Sequence, residues 1–429
     1  MTLAQNHLQR LSGNKKLGVI LLLTFACISC GAFKSNTLEV EEYHKKEEET
    51  KVVVEKEPVK EVKIENEKKE EEVVALVEVY FNNVKYMAPA LEDKSYTVAL
   101  FLPFMANSTT SNLTSPMLDF LAGVETALKE LEQKDIRINV KVYDTKNDVK
   151  TIQSILLKEE LKNMDMIIGP VFDDHLKLME NHCAIYHIPL IVPLKYYGKE
   201  TNTNFPLFNV FPTDSVFYYS LGKNVGSKYK NHKVFTITTK DKNSYFARKH
   251  FIKGYSEVNK KAIGNFNANN CNAACTGDST LLFIPTTIES EMRTSLDLLK
   301  NKKKVTVLGL EEWQDFSVID YPIWNMLNVH YGSKFYVNSQ DSATKELRIK
   351  YRYNYSGEPT KYFYIAHDEM LFFGEALKAF GRSFPKYIKN SQFMYHHNAF
   401  YFVEKKGYFE NESTNLIWFK DFSPVRVNH

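Results

Sequence analysis

Apolar residues follow two alternating patterns along this chain from Tyr96 onward. The strand-like run at residues 97–104 (TVALFLPF) is followed by a stretch of helical length. That stretch has the i, i+3, i+4, i+7 spacing of one buried helical stripe, with apolar residues at Met117, Phe120, Leu121, Val124, Ala127, Leu128 and Leu131. The runs INVKVYDT, MDMIIGP and PLIVPL come next, separated by helix-length segments. Strands that alternate with helices predict a mostly parallel sheet flanked by helices.

A second series of the same kind starts after LFNVFP and contains KVFTITT, STLLFIP, VTVLGL and NVHYG. A long amphipathic helix is predicted from about His367 to Phe380, and the aromatic-rich tail FMYHHNAFYFVEKKGYF predicts a hairpin. Two similar α/β units predict two lobes with a cleft between them. We assign 95–212, completed by about 363–390, to lobe 1, 213–362 to lobe 2, and 391–429 to a C-terminal hairpin and tail.

The N-terminus has the pattern of an export signal. Two lysines precede the apolar run LGVILLLTFACIS, which at about 13 residues is too short to span a bilayer and is typical of a signal-peptide h-region. The junction Ser29–Cys30–Gly31 resembles the lipobox of bacterial lipoproteins, which implies removal of residues 1–29 and a lipid on Cys30. Modification at Cys27, an uncleaved anchor and a plain secretory signal remain alternatives.

Residues 30–94 are predicted to be a flexible tether. Residues 38–72 consist mainly of Glu, Lys and Val, with Pro58 in the middle, and bury too little apolar surface to offset the entropy lost on ordering. A coil of this length spans about 45 Å on average and up to roughly 200 Å when fully extended. The body is therefore expected to stand well clear of the membrane.

Charge and motifs exclude several classes of function. The formal charge falls from +3 to zero on removal of residues 1–29, which contain three basic residues and no acidic one, so overall charge favours neither nucleic acid nor an anionic membrane as a partner. The sequence has no Gly-rich phosphate loop, nucleophile elbow or paired CxxC motif, and we expect no enzyme activity, cofactor or metal. Cys271 and Cys275 could form a local disulfide or remain free thiols.

Other polar clusters have ordinary structural explanations. His367, Asp368 and Glu369 are interpreted as the N-terminus of a helix, where carboxylates are favoured by the helix dipole. His396 and His397 are expected on opposite faces of a strand. The lysine run at residues 302–304 is interpreted as a solvated helix end.

Three stretches resemble type I periplasmic binding proteins, specifically the branched-chain amino-acid-binding branch. They are VYDTKNDVKTIQSILLKEELKNMDMIIGP, TTKDKNSYFARKHFIKGYSE and YRYNYSGEPTKYFYIAHDEMLFFGEALKAF, and the resemblance covers nearly all of residues 95–385. It implies a two-lobed α/β fold with parallel sheets and a ligand cleft at the carboxyl ends of the strands. The candidate cleft-lining residues are Phe104, Met105, Gly169, Pro170, Val171, Phe172, Asp173, Leu194, Lys195, Tyr196 and Asp241.

The expected ligand shell departs from that of amino-acid binders. Such proteins hold the ligand carboxylate with small hydroxyl residues after the Gly-Pro turn and after the next strand. The matching positions here carry Val171, Phe172, Asp173 and Pro193, which remove hydrogen-bond donors and add a negative charge. Amino-acid binding is therefore not expected.

The VALFLPF, IIGPVF and IPLIVPL segments are similar to envelope lipoproteins of Bacteroidetes-type bacteria that carry this fold. The similarity implies an outer-membrane lipoprotein, on the periplasmic face rather than the cell surface. Its expected partners are the membrane, through the lipid anchor, and another envelope protein that it scaffolds or regulates, for example in peptidoglycan synthesis or outer-membrane machinery. The alternative is a receptor whose cleft binds a small-molecule ligand and feeds a transporter.

The lipobox resemblance makes a direct prediction. Replacing Cys30 with Ser should abolish acyl labelling and release the protein from membranes, because the acylated thiol is lost, whereas Cys27→Ser should retain both. Metabolic labelling with a fatty acid and membrane fractionation measure the two effects. Label that persists in Cys30→Ser and disappears in Cys27→Ser would move the site to Cys27.

Overall fold

The structure is a computed structural model, and it describes residues 76–105, 112–194 and 205–427. These residues form two lobes, each built around one mainly parallel β-sheet with helices on its faces. The signal peptide, Cys30 and the tether up to residue 75 lie outside the described residues. None of the helices in the described part of the chain is long and apolar enough to cross a membrane.

Strands and helices alternate through most of the chain, as the apolar pattern predicts. The strands are β1 (Leu76–Phe81), β2 (Val84–Pro89), β3 (Tyr96–Leu102), β4 (Ile138–Asp144), β5 (Met166–Ile168), β6 (Leu190–Val192), β7 (Leu207–Asn209), β8 (Lys233–Thr238), β9 (Gly264–Asn267), β10 (Thr280–Phe283), β11 (Val305–Gly309), β12 (His330–Ser333), β13 (Gln392–Met394), β14 (Ala399–Lys405), β15 (Tyr408–Asn411), β16 (Asn415–Lys420) and β17 (Ser423–Arg426). The helices are α1 (Thr114–Glu132), α2 (Val149–Leu156), α3 (Asp173–Tyr186), α4 (Asp214–Lys228), α5 (Ser244–Val258), α6 (Glu289–Leu299), α7 (Tyr321–Met326), α8 (Ser342–Tyr355), α9 (Lys361–Phe380) and α10 (Pro385–Ile388).

The sheet of lobe 1 has eight strands in the order β13, β14, β15, β7, β6, β5, β3, β4. The pairs from β15 to β4 are parallel, and β13 and β14 extend the sheet in antiparallel pairing. Helices α1 and α9 pack together so closely that a side chain at Gly123 would clash with the carbonyl oxygen of Phe363. The helix pair covers a core rich in phenylalanine.

The sheet of lobe 2 has seven strands in the order β17, β16, β12, β11, β10, β8, β9. The five strands from β12 to β9 are parallel, while β16 and β17 are antiparallel additions. Its core includes Trp313 and Trp324, both essentially buried. This architecture is the two-lobed parallel α/β fold that the sequence predicts.

The C-terminal segment differs from its predicted role. The sequence pattern predicts a separate hairpin and tail at residues 391–429, whereas β13 to β15 complete the sheet of lobe 1, and β16 and β17 complete that of lobe 2. The chain therefore passes between the lobes three times, before α4, after β12 and between β15 and β16. Helix α8, assigned to lobe 2 by sequence, packs on lobe 1, where the Tyr351 hydroxyl donates to Asp119.

The folded body also begins earlier than residue 95. Strands β1 and β2 form an antiparallel hairpin inside the segment that the sequence analysis assigned to the tether. Asn82 and Asn83 adopt positive φ angles of 47° and 61° at its turn, as two-residue hairpin turns require. Phe81 is 2% exposed, and its ring lies 5.7 Å from Phe372 and 5.0 Å from Phe393.

The hairpin should stabilise the body chiefly through Phe81, its largest buried side chain. Replacing Phe81 with Ala removes a fully packed ring, so the free energy of unfolding should fall by about 3–5 kcal/mol. The neighbouring Tyr80 is 68% exposed, and Tyr80→Ala should change it by less than about 0.5 kcal/mol. Urea unfolding of both variants measures the difference, and equal small effects would mean that the hairpin does not belong to the cooperative unit.

Candidate functional site: the cleft between the lobes

A cleft of about 1160 Å³ opens between the two lobes. Val171, Phe172, Asp173 and Leu194, four residues from the sequence-based set, line it on the side of lobe 1. They follow β5 and β6, whose carboxyl ends point towards the cleft, as parallel α/β sheets generally arrange their ligand sites. Lys195 and Tyr196 lie outside the described residues.

The turn before α3 determines how this wall is presented. Gly169 and Pro170 are joined by a cis peptide bond and are buried beneath the wall. Gly169 has a φ of 113°, and a side chain there would lie 2.5 Å from the carbonyl oxygen of Phe101, so only glycine fits. The turn leads directly into Phe172 and the exposed Asp173 at the start of α3.

The first turn of α3 is a poor site for an anionic ligand. A helix N-terminus normally attracts anions through its partial positive charge and its free N–H groups. Here Asp173 and Asp174 both occupy that first turn, and both line the cleft. Their carboxylates balance the helix dipole and repel a second carboxylate.

Three other sequence-based candidates lie away from the cleft lining. Phe104 is half-buried and packs against the core of lobe 1, and the N–H of Met105 donates to Asp144 at 3.3 Å. Asp241 accepts hydrogen bonds from the N–H of Thr287 at 2.6 Å and from the N–H of Asn243 at 2.8 Å. Burial opposes ionisation of Asp241, but these hydrogen bonds outweigh it and lower its pKa. Asp241 therefore braces two loops of lobe 2.

The opposite wall contains charged residues that the sequence analysis did not select. Lys334 lies 2.6 Å from Asp214 at the start of α4, and the Ser333 hydroxyl donates to Glu311 at 2.8 Å. Desolvation in the cleft raises the pKa of Glu311 to about 7. Lys334 follows β12 and Glu311 follows β11. Both therefore lie at the carboxyl ends of parallel strands, where ligand sites are expected, and the sequence pattern of lobe 2 could have identified them.

Aromatic side chains line both walls and the segments that cross between the lobes. They are Phe172, Phe211, Phe246, Phe335, Tyr362 and Tyr408. Glu410 fixes one crossing segment, because its Oε1 accepts from the N–H of Thr213 at 2.8 Å and its Oε2 accepts from the Tyr408 hydroxyl at 3.2 Å. The cleft therefore combines apolar aromatic walls with charges at separate positions.

The cluster at residues 367–369 is buried, which corrects its assignment to a helix N-terminus. Helix α9 begins at Lys361, about two turns earlier, and Asp368 is fully buried. Its Oδ2 accepts from the N–H groups of His397 and Asn398, each at 2.7 Å. The Nδ1 atoms of His397 and His367 lie 3.1 and 3.3 Å from its Oδ1. Burial disfavours the ionised form, but these histidine contacts hold the pKa of Asp368 below its usual range.

The cysteines of lobe 2 form no disulfide with each other. Cys271 and Cys275 are free thiols, and the buried Cys271 donates to the carbonyl of Ser295 at 3.7 Å. Across the described ranges, no group of three or more His, Cys, Asp or Glu side chains is arranged to hold a metal ion.

Comparison with known proteins shows the fold. No protein-family model matches the sequence, and no curated protein matches it either. Full-length LpoA from Haemophilus influenzae has a TM-score of 0.53 at 11% identity over 79% of this chain and 60% of LpoA. The LpoA C-domain, from a regulator of PBP1A in the same organism, scores 0.54 at 9% identity over 77% of this chain and all of that domain. A putative branched-chain amino acid ABC transporter protein from Rhodospirillum rubrum scores 0.57 at 10% identity over 78% of this chain and all of that protein.

These similarities establish the two-lobed fold of type I periplasmic binding proteins. The chain spans about 60% of the length of full-length LpoA, and the identities are too low to carry function with the fold. The neighbours include both a regulator of PBP1A and a putative branched-chain amino acid ABC transporter.

Glu369 generates a prediction about the helix that lines the cleft. It lies one helical turn after Ile365, a cleft-lining residue, is 1% exposed, and neither carboxyl oxygen has a hydrogen-bond partner within the described residues. Burial, followed by the charge of Asp368, raises its pKa well above the usual value of 4.5. A carboxyl with a raised pKa holds its proton more tightly in the folded protein than in the unfolded chain, so the contribution of Glu369 to stability falls as pH rises above about 4.5.

Glu369→Gln should remove that part of the pH dependence. Its free energy of unfolding should fall less than that of the wild type between about pH 5 and about pH 8, as measured by urea unfolding. Glu346→Gln, at an exposed position on α8, should keep the wild-type slope. An unchanged slope in Glu369→Gln would show that Glu369 is ionised in the folded protein.

Proposed function

We propose that this protein is a lipid-anchored binding protein of the cell envelope whose cleft holds a segment of another envelope protein. It would act as a scaffold or regulator, for example in peptidoglycan synthesis or outer-membrane machinery, and not as an enzyme. The body would be attached through Cys30 to the periplasmic face of the outer membrane of a Bacteroidetes-type bacterium. The similarity to LpoA, a regulator of PBP1A, supports this class of role.

The observation that carries the proposal is the wall formed by Val171, Phe172 and Asp173. It presents two apolar side chains and a carboxylate where an amino-acid receptor needs neutral donors for the ligand's carboxylate. An anion placed there would lose its water without gaining hydrogen bonds. A free amino acid is therefore a poor occupant of this cleft.

The size and lining of the cleft fit a protein segment better. Small-molecule sites usually measure about 300–1,000 Å³, and this cleft is slightly larger at about 1160 Å³. Phe172 on lobe 1 and Phe246 on lobe 2 contribute aromatic surface from both sides, and Phe335 adds to it from the crossing segment after β12. Apolar anchor residues of a partner gain most of their binding energy in such desolvated aromatic surroundings.

A small-solute receptor is the second candidate. It is favoured by the open cleft with its lysines Lys334 and Lys361, and by the similarity to the Rhodospirillum rubrum protein. The scaffold would bind a protein segment between the aromatic walls, and the receptor would bind a small solute there. Variants of the same aromatic residues therefore distinguish the two candidates.

Phe172 and Phe246 provide the test. A photo-crosslinking amino acid at Phe172 in the full-length protein should capture one envelope protein in intact cells. Phe246→Ala should reduce that capture at least about tenfold, as expected for loss of an interface anchor. Tyr245→Ala is the matched control, because Tyr245 is the next residue in α5, is 69% exposed and does not line the cleft. Thermal unfolding checks that all variants are folded.

The receptor candidate predicts a different result. A cognate solute at a hundredfold excess over its Kd would stabilise the protein by about 2.7 kcal/mol, which a thermal melt detects. A clear shift with leucine or a related amino acid, together with crosslinking that Phe246→Ala leaves unchanged, would overturn the scaffold proposal and support the receptor.

A further inference from the structure

The end of lobe 2 opposite the cleft carries a cluster of lysines, here called the basic pole. Strands β8, β10 and β11 are parallel, with Lys233 aligned to Thr280 and Thr280 to Val305. The loops that precede these strands and β9 therefore meet at one edge of the sheet. Those loops contribute the members of the basic pole, which are Lys230, Lys233, Lys260, Lys261, Lys302, Lys303 and Lys304.

Contacts within the pole confirm that these loops are adjacent. The ammonium of Lys261 donates to the backbone carbonyl of Lys230 at 2.5 Å. Lys233, Lys261 and Lys304 line one shared groove of about 620 Å³. All members except the half-buried Lys302 are exposed, so the positive charges are available to a partner.

Little negative charge offsets the pole. Lys233 is paired with Asp278 at 2.5 Å. Within the described residues, the other six lysines have no carboxylate at salt-bridge distance. A cluster of like charges is unfavourable for folding, so its concentration at one edge calls for an anionic partner.

We propose that the basic pole docks on an anionic phospholipid surface. The chemistry of the loops favours lipid over an acidic protein, because the exposed side chains of the three lysine-bearing segments 229–233, 259–263 and 300–304 are only Lys, Asn and Ala. The loop before β10 adds the exposed Thr276 and Asp278, and Asp278 is paired with Lys233. Protein interfaces are enriched in aromatic residues and Arg and depleted in Lys, and bidentate recognition uses the planar guanidinium of Arg. Flexible lysines act as point charges, and clusters of them bind phosphate-bearing membrane surfaces.

The position of the pole gives this docking a consequence for the cleft. The pole lies at the amino ends of the strands of lobe 2, whereas the cleft lies at their carboxyl ends. A body held to lipid through the pole would therefore keep its cleft facing away from that surface.

A vesicle-bridging assay tests the proposal with the full-length protein. The protein is first inserted into immobilised phosphatidylcholine vesicles. Fluorescent vesicles are then added, either of phosphatidylcholine alone or of phosphatidylcholine mixed with phosphatidylglycerol. This arrangement rests on the proposed lipid at Cys30: the first vesicle occupies that anchor, so capture of the second vesicle reports on the body. The wild type should capture the anionic vesicles at least about tenfold better than the neutral ones at low salt, and this preference should disappear at about 1 M salt.

Two triple variants with the same change in charge locate the effect. Lys230→Glu, Lys260→Glu and Lys303→Glu combined should reduce anionic capture at least about tenfold. Lys240→Glu, Lys242→Glu and Lys345→Glu combined should retain it, because Lys240 and Lys242 follow β8 at its carboxyl end and Lys345 lies on α8. Matching melting curves confirm that both triples are folded.

Three results would overturn the proposal. The first is equal capture of neutral and anionic vesicles by the wild type. The second is an equal loss in both triple variants, which would reflect net charge rather than the pole. The third is retention of the wild type, but not of the pole variant, on immobilised polyglutamate without any capture of anionic vesicles, which would indicate an acidic protein partner instead.

Discussion

The buried carboxylate of Asp368 is the constraint on which the arrangement of the C-terminal half depends. Removing a charged group from water costs several kcal/mol unless hydrogen bonds replace its hydration. Asp368 meets this requirement with two backbone N–H groups and two imidazole nitrogens, and these come from α9 itself and from the loop between β13 and β14. The loop therefore cannot move away from α9 without leaving a buried charge unpaired.

The loop between β13 and β14 also contacts α8 and β17. The Nε2 of His397 lies 3.1 Å from the Thr344 hydroxyl of α8, and Arg426 of β17 donates to the carbonyl of His397 at 2.8 Å. Since β17 belongs to the sheet of lobe 2, this chain of contacts links the two lobes at a point distant in sequence from the first crossing. Leaving a buried charged group without a hydrogen-bond partner typically costs about 1–3 kcal/mol or more, so these contacts hold the loop against α9. Glu369, the next residue, has no hydrogen-bond donor within the described residues, and burial raises its pKa. Hydrogen bonds rather than residue type therefore set the direction of the pKa shift at these two neighbouring carboxyl groups.

Much of the fold could be predicted from the sequence because local pattern and tertiary structure agree. The stripe from Met117 to Leu131 is buried in α1 as its spacing requires, and the βα alternation specifies parallel sheets. The hairpin β1–β2 is harder to predict, although Asn82 and Asn83 between its strands are a turn signal. It follows directly on the charged segment, and most of its side chains are exposed, so its order depends on the packing of residues such as Phe81 against the distant Phe372. The pairing of β15 with β7 and of β16 with β12 joins residues far apart in sequence, and no local pattern encodes such partners. In the cleft, the wall formed by lobe 1 could be predicted because ligand sites lie at the carboxyl ends of parallel strands. The same principle applied to the strands of lobe 2 points to Glu311 and Lys334.

The net charge of the chain says little about its partners, because it sums regions of opposite local charge. The formal charges of residues 30–429 sum to zero, yet carboxylates occupy the first turn of α3 at the cleft, and lysines gather at the far edge of the sheet of lobe 2. Topology creates this separation, since parallel strands send all loops of one kind to one end of the sheet. Screening lengths of about 8 Å at physiological ionic strength are shorter than a lobe, so a partner at either end responds to the local charge alone. The α3 side of the cleft is therefore locally acidic and the basic pole locally cationic, although the formal charges nearly cancel over the chain.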